Sequence, residues 1–451
     1  MKKIFLTILV FSALQVIAQT GHVMPAIGAA STSVAGVAVA QPTSVDGALM
    51  WNPATLSVFK GKILNVNATA LLANPVVSST YGAMSGETKS DTGLSVVPAI
   101  SYAYGKKDNP NTYAVFLRGV SGFGVDYAES TTNPITNAGV FGHIKSQYQL
   151  MQLGATWAYQ FNKKWSIGLT PIFDVATLEI APNPTAPPNA MGYPRSEKAV
   201  TNGLGMEFGV HYDMTDRKGR SFKFGASYKT VQNMGDFTFK NTNNDGSDAG
   251  YSTLNMDFPA IVSLGVGYSS KYWDFGFDYR TINYVEAPGF NGGYWKSNGT
   301  VSGFGWENSE VFALGASYHK IKFKRKRRKH RSKDKAKPRF YTRYPLVVRA
   351  GFVHNTNPVS KERAFLSSAA PAIIENEATA GFSYRFSKKS TFNMAFQYGF
   401  ENSVTGAMLN PGLASQTNPL GTVPNSSVTH TMSTMMVSFG ITVNFEDLSK
   451  K

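Results

Sequence analysis

The residues that could do chemistry in this chain of 451 are few and scattered. There is no cysteine, which removes thiol nucleophiles, disulfides and cysteine-ligated metals together. The seven histidines are His22, His143, His211, His319, His330, His354 and His430. A zinc hydrolase helix needs two of them four apart around a glutamate, and none is so placed. The sequence has no Gly-x-Ser-x-Gly elbow and no Walker-type phosphate loop. What remains is a set of charges at alternating positions: Glu207, His211, Asp213, Asp274, Asp278, Arg280, Arg349 and Arg385. They could serve as acids and bases, or they could pair with one another across an interior. Acyl transfer needs a serine, a histidine and an orienting group placed together, and the spacing singles out none. The expectation is pairing, with no catalytic residue, no metal and no cofactor, and a protein that is not an enzyme.

The elements that carry these charges alternate strictly between apolar and small or polar residues, the period of a strand with two unlike faces. Met435, Val437, Phe439, Ile441, Val443 and Phe445 share one face, and Met436, Ser438, Gly440, Thr442 and Asn444 the other. The pattern recurs in fourteen segments: 62–73, 93–104, 112–126, 147–161, 165–179, 202–213, 221–231, 257–269, 272–284, 309–319, 345–354, 376–386, 390–401 and 428–445. Each is close to the roughly ten residues that cross a bilayer at a tilt, and an even number suits a closed antiparallel barrel. Short connections (161–166, 213–221, 269–273, 385–390) alternate with long ones (180–201, 232–256, 285–308, 355–375, 402–427). All long connections therefore emerge at one end, as external loops do. The fold class expected is all-β, a 14-stranded antiparallel transmembrane barrel spanning 61–445.

Composition agrees. Charged residues are only 16% while aromatics reach 13%, which fits a wall facing lipid. Lys2 and Lys3 precede the apolar run Ile4 to Ala18, with small residues at Val16 and Ala18, so a signal peptide over 1–18 is expected. No later stretch is apolar for long enough to be a helical span. The expected location is the bacterial outer membrane. The net charge of +16 is local: Lys320 to Arg343 holds fourteen Lys and Arg against one Asp, thirteen of the sixteen net charges. This basic segment, 320–344, interrupts what should be a short periplasmic turn. It reads as a disordered insertion or as a contact for an anionic periplasmic partner, lipid headgroups or cell-wall polymer. Behind a signal peptide it does not read as a nucleic-acid or nuclear signal.

Between leader and barrel lies a compact segment, 19–60, containing DGALMWNPATLS (46–57), where Asp46-Gly47 and Asn52-Pro53 signal turns. A fourteen-stranded bore is too wide for side chains to fill, so this segment is expected to plug it. The run G-x-A-x-A…D-G-A…W-N-P-A-x-L resembles the hatch of the FadL family of outer-membrane transporters. FLRGVSGFGVDY (116–127), DFPAIVSLGVGY (257–268) and LVVRAGFVHNTNPV (346–359) resemble that family's third strand, proline-led strand and R-x-G segment. The basic insertion and the tail 446–451 depart from it.

The resemblance implies uptake of long-chain fatty acids or other hydrophobic compounds by external capture, hatch gating and lateral exit through the wall. It puts the hatch motif on Asn52, Pro53 and Ala54, and the strand kink on Gly119, Gly122 and Gly124, where glycine weakens a strand. Expected partners are outer-membrane lipid, a hydrophobic ligand such as a fatty acid, and the barrel assembly machinery, with the chain itself a monomer. A general porin and a structural or adhesive surface barrel are the other readings. An open axial lumen would mark the porin.

Overall fold

In the computed structural model, which describes residues 21–323 and 342–445, fourteen long strands succeed one another around a closed wall. They are β1 (Gly61–Ala73), β2 (Leu94–Gly105), β3 (Asn111–Tyr127), β4 (Ile144–Gln160), β5 (Trp165–Ala181), β6 (Ala199–Thr215) and β7 (Ser221–Lys229). The second half is β8 (Ala260–Ser269), β9 (Trp273–Asn283), β10 (Ser309–Phe323), β11 (Thr342–Asn355), β12 (Asn376–Arg385), β13 (Ser390–Gly406) and β14 (Ser426–Asn444). Each pairs antiparallel with its successor. β14 returns to β1 from Ile63↔Asn444 to Ala73↔Thr434, so the sheet closes on itself.

The leader 1–18, the tail 446–451 and the middle of the basic segment lie outside the described residues. The ends of that segment do not: pairing continues through Lys322↔Arg343 and Phe323↔Thr342, a stretch read above as loop. A ladder uses only main-chain groups, and side-chain charge does not prevent it.

Alternation decides which face meets what. Phe208, Leu264, Phe275, Leu314, Phe396 and Phe439 point outward, between 42% and 55% exposed. Their chain neighbours Glu207, Ser263, Ala313, Gln397 and Ser438 are buried. A belt of exposed Phe and Leu around a whole wall is tolerable only in lipid. Near the short turns the outward side chains become paired rings: Trp165–Tyr212 at 4.7 Å, Phe222–Tyr268 at 5.0 Å and Trp273–Tyr318 at 4.8 Å. Such girdles sit at the membrane–water boundary.

Two features escaped the periodicity. A hairpin, Val76–Tyr81 with Met84–Lys89, and a small sheet of Arg195–Ser196, Phe237–Thr242 and Asp248–Leu254 occupy segments read as loop. Their strands are short and largely polar, so alternation over them is weak.

Residues 21–58 lie inside the wall. Eight consecutive strands, β5 to β12, each set a glycine against this segment: Gly168, Gly209, Gly225, Gly265, Gly276, Gly315, Gly351 and Gly381. A Cβ on Gly225 would overlap the Val39 carbonyl, one on Gly209 the Asn52 amide, and one on Gly351 the backbone of Val34 and Ala35. The glycines of the small-residue face are thus the seat of the inner segment, where main chain approaches main chain.

The inner segment contains α1 (Ala29–Thr32), α2 (Val45–Trp51) and a 3-10 turn over Pro53–Val58. Asp46-Gly47, read as a turn, instead opens α2. Ser44 caps it by accepting from the Gly47 amide at 3.3 Å. The Asp46 carboxylate lies at the positive helix start and accepts from Asn67 and Ser101 of the wall. Burial pushes that carboxyl above its usual range, and the two hydrogen bonds oppose the shift.

Candidate functional site

The long connections gather at one end of the wall and enclose a cavity of about 730 Å³, counting the space open at its mouth. Phe141, Ile180, Leu254, Trp295, Phe304 and Phe365 line it, and no lining residue carries a charge. The connection after β9 is tied across it, Tyr193 donating to Gly299 O at 2.6 Å and Trp295 Nε1 to Leu420 O at 2.8 Å. An apolar molecule entering here leaves water at a gain of about 25 cal/mol per Å² buried.

Phe304 is also the near wall of a denser aromatic cluster, with ring centroids 5.6 Å from Trp306, 5.7 Å from Phe123 and 6.1 Å from Phe290. At its centre is His22. Its imidazole lies 4.1 Å from Phe290, 5.4 Å from Tyr284, 5.7 Å from Phe258, 5.9 Å from Trp306 and 6.0 Å from Tyr148. Nδ1 is 3.0 Å from the Tyr284 hydroxyl, and Nε2 has no partner among the described residues. Desolvation in this cage lowers the His22 pKa to about 3, so the ring is neutral.

Beside the cage the wall is incomplete. The β2–β3 ladder runs from Gly105↔Thr112 to Ala99↔Arg118 and stops, although both strands continue. Pro98, which has no N–H to give, is the first β2 residue beyond the break. Further along, the Ser90↔Tyr127 bridge and the bond from Asp91 N to Asp126 O close the gap again. Between these limits β3 stays paired to β4, with a register shift between Gly119 and Ser121. The result is a window bounded by residues 94–98 of β2 and 119–125 of β3. A strip of the inner segment fills the missing partner's place: Val23 bridges Ser121, Met24 N donates to Val120 O at 2.8 Å, and Gly122 N donates to His22 O at 3.1 Å.

The three kink candidates lie along this β3 edge. A Cβ on Gly119 would come within 2.8 Å of Val97 Cγ1, and one on Gly124 within 3.0 Å of Ser146 O. Gly122 holds the strip through its amide.

Asn52, Pro53 and Ala54 lie further round the wall, against Gly168 of β5 and Gly209 of β6. Asn52 Nδ2 donates to Val39 O at 2.7 Å and to Val210 O of β6 at 3.0 Å, while Oδ1 accepts from Ala54 N at 3.0 Å. One amide therefore caps the 3-10 turn, ties the inner segment to itself and fixes it to the wall.

The interior charges close the same grip. Asp278 accepts from Ala38 N at 2.8 Å, Val39 N at 3.1 Å and Arg280 at 2.8 Å. Arg280 also donates to Gly36 O at 2.7 Å and stacks 4.0 Å over Trp51. His211 reaches Ala40 O at 3.1 Å. Elsewhere Asp274 meets His319 at 2.5 Å, Arg349 donates to Ser383 at 2.6 Å, and Asp213 accepts from Ser221 and Thr215. Lys229, unremarked in the sequence, donates to Met50 O at 3.1 Å and lies 3.5 Å from Glu207. Among the described residues no cluster has the makings of a metal site.

Sequence reasoning singled out neither His22 nor any individual pocket residue, although the connections 180–201 and 285–308, whose aromatics could be expected to line an entry groove, do supply much of the lining. Most pocket residues sit on the long connections, where a single sequence carries no contact signal, with Ile144 and Ile180 at the ends of β4 and β5. His22 had only its position in a segment expected to enter the bore.

Solved structures of the same shape exist. The Pseudomonas putida toluene transporter TodX superposes with TM-score 0.64 at 17% identity, covering 94% of this chain and 99% of its own. A Pseudomonas aeruginosa FadL homologue gives 0.69 at 13%, covering 94% and 100%. The Ralstonia pickettii toluene transporter TbuX gives 0.59 at 14%, covering 94% and 99%. At such identities these likenesses show the fold. Among proteins of curated function, none matches in sequence. The sequence profile of the outer membrane protein transport proteins, OMPP1/FadL/TodX, matches residues 13–322. A closed barrel with a filled bore, an uncharged pocket under its loops and that profile over most of the chain lead to one statement: this protein belongs to the OMPP1/FadL/TodX family of outer-membrane transporters for hydrophobic compounds.

Proposed function

We propose that this protein carries hydrophobic small molecules, long-chain fatty acids or aromatic hydrocarbons among them, from the external pocket sideways through the β2–β3 window into the membrane. The observation that carries this reading is the interrupted ladder, whose missing partner is supplied by three residues of the inner segment. Axial passage would require dislodging residues 33–58, which are seated on eight strands and tied by Asn52, Asp278, Arg280 and Lys229. Lateral passage requires only that the strip at 22–24 release β3. It also avoids returning an alkyl chain to water, which costs about 0.8 kcal/mol per methylene.

In this reading Asn52, Pro53 and Ala54 anchor the hatch, and Gly119, Gly122 and Gly124 form the edge of the exit. The acceptor is outer-membrane lipid, the chain works as a monomer inserted by the barrel assembly machinery, and no catalysis is involved. A general porin would need an axial path that the inner segment crosses.

The chain lacks cysteine, so a designed pair tests the route cleanly. Val97→Cys with Val120→Cys spans the window. Once oxidised, the pair should stop uptake of a fatty acid into liposomes, and reduction should restore it. Uptake that ignores the cross-link rules the lateral route out.

A further inference from the structure

We propose that the periplasmic rim of the barrel is a docking surface for the anionic phospholipid headgroups of the inner leaflet, whatever route the cargo takes.

Charge is divided between the two ends of the wall. The five short turns that the structure describes in full read KKDNP (106–110), FNKK (161–164), DRKGR (216–220), SKY (270–272) and FSKK (386–389). They carry ten Lys and Arg against two Asp. The seven long connections at the other end (74–93, 128–143, 182–198, 230–259, 284–308, 356–375 and 407–425) carry seven Lys and Arg against twelve Asp and Glu. Lysines that merely snorkelled to the nearest water would appear at both ends. Here they gather at one, on turns spread around the circumference.

These cations have little counter-charge within the chain. Among the described residues, only Arg220 of the ten has a carboxylate partner, Asp216 at 2.8 Å. At the external end, by contrast, Lys145 meets Glu179 at 2.8 Å and Lys240 meets Glu197 at 3.0 Å. Like charges crowded on one rim repel one another, and an anionic neighbour relieves that repulsion.

The aromatic company of the lysines names the neighbour. Phe161 and Phe386 open two of the turns, 58% and 53% exposed, and each is followed by Lys-Lys two residues on. Trp165 directly follows Lys164, and Lys271 lies 5.1 Å over the Tyr272 ring, next to Trp273. At about 3.3 Å per residue, Lys163, Lys164 and Lys271 leave the chain within about 7 Å of the aromatic girdle. That is headgroup depth, where rings enter the acyl boundary and ammonium groups reach the phosphates. A cell-wall polymer or an acidic protein would meet the lysines in water and leave both phenylalanines exposed. The attraction falls off within about 8 Å at physiological salt, so it gathers a first shell of anionic lipid around this end alone.

The test uses the full mature chain in nanodiscs of phosphatidylcholine and phosphatidylglycerol, with one lipid or the other brominated on its acyl chains. Quenching of Trp165 and Trp273 reads which lipid lies beside the rim, and a variant with both changed to Phe supplies the blank. The wild type should favour phosphatidylglycerol about fivefold at low salt. The preference should vanish at about 0.5 M salt, a comparison that needs no variant. Combining Lys163→Gln, Lys164→Gln, Arg217→Gln, Lys218→Gln, Lys388→Gln and Lys389→Gln should bring the ratio close to one, with segment 320–344 left intact in both proteins. Changing the same lysines to Arg should keep the preference. Heat-modifiable migration confirms a folded barrel in each variant. No preference in the wild type, or one that survives salt or the glutamine changes, overturns the proposal. Displacement of phosphatidylglycerol by soluble polyglutamate overturns it too, since the rim would then be a site for an acidic polymer.

Discussion

The two ends of the inner segment are held by different physics. From residue 33 to 58 it is welded: glycines on β5 to β12 let its backbone touch the wall, and buried charges take up its main-chain groups. At residues 22–24 it is held by two main-chain bonds and a nest of rings. Buried ion pairs are costly to break, because each partner left behind is an uncompensated charge. Ring packing and a two-bond bridge can be exchanged for similar contacts with a ligand. One chain segment can therefore stay fixed along most of its length and yield at one end. Motion is expected where the holding groups are replaceable.

The largest effect should come from breaking the weld. Asp278→Ala strands Arg280 and two amides of the inner segment, a loss of about 3–5 kcal/mol. The wall's own ladders are untouched, so the barrel should persist while ion conductance across planar bilayers rises. A silent bilayer would show that the weld does not depend on this pair. Asn52→Ala comes next, with two carbonyls losing a donor and a 3-10 turn losing its cap, roughly 2–3 kcal/mol together. Its thermal midpoint should drop and proteolysis of the inner segment should quicken. An unchanged midpoint would mean that the glycine seat alone suffices.

The weak end should answer to pH. The seated His22 has a pKa lowered to about 3, below the ordinary value near 6.5 that it regains once outside the cage. The released form therefore gains a proton first. Seating is at full strength above pH 6.5 and weakens by about 1.4 kcal/mol per unit as pH falls toward 3. At pH 5 that is about 2 kcal/mol. The other titratable groups packed on the ring, the hydroxyls of Tyr148 and Tyr284, stay neutral throughout this range. Hydrogen exchange at the Met24 and Gly122 amides, corrected for intrinsic rates, should accelerate at pH 5. The amides of Ala38 and Val39 should stay protected. If all four respond alike, the two ends do not differ in the way argued here.

The smallest effect is expected at the rim itself. Gly122→Val puts a branched side chain beside the strip and should slow fatty-acid uptake about fivefold, near 1 kcal/mol, with little change in thermal stability. Uptake at the wild-type rate would remove Gly122 from the route.

The barrel was legible in the sequence because its cause is local. A side chain in a strand faces one way or the other by parity, so fourteen alternating segments and two classes of connection specify wall, sidedness and solvent without any long-range contact. The inner segment could be expected because a bore of that width needs filling. Tertiary structure alone decided the rest. The glycines of β5 to β12 look like any small residues until the backbone they admit is in place. Arg280 and Asp278, two apart on one strand, are a pair with a purpose only when Gly36 to Val39 lie against them. His22, Phe290, Trp306 and Gly122 meet only because barrel closure brings the chain's beginning against β3 and the loop after β9, and no periodicity within any one segment encodes that encounter.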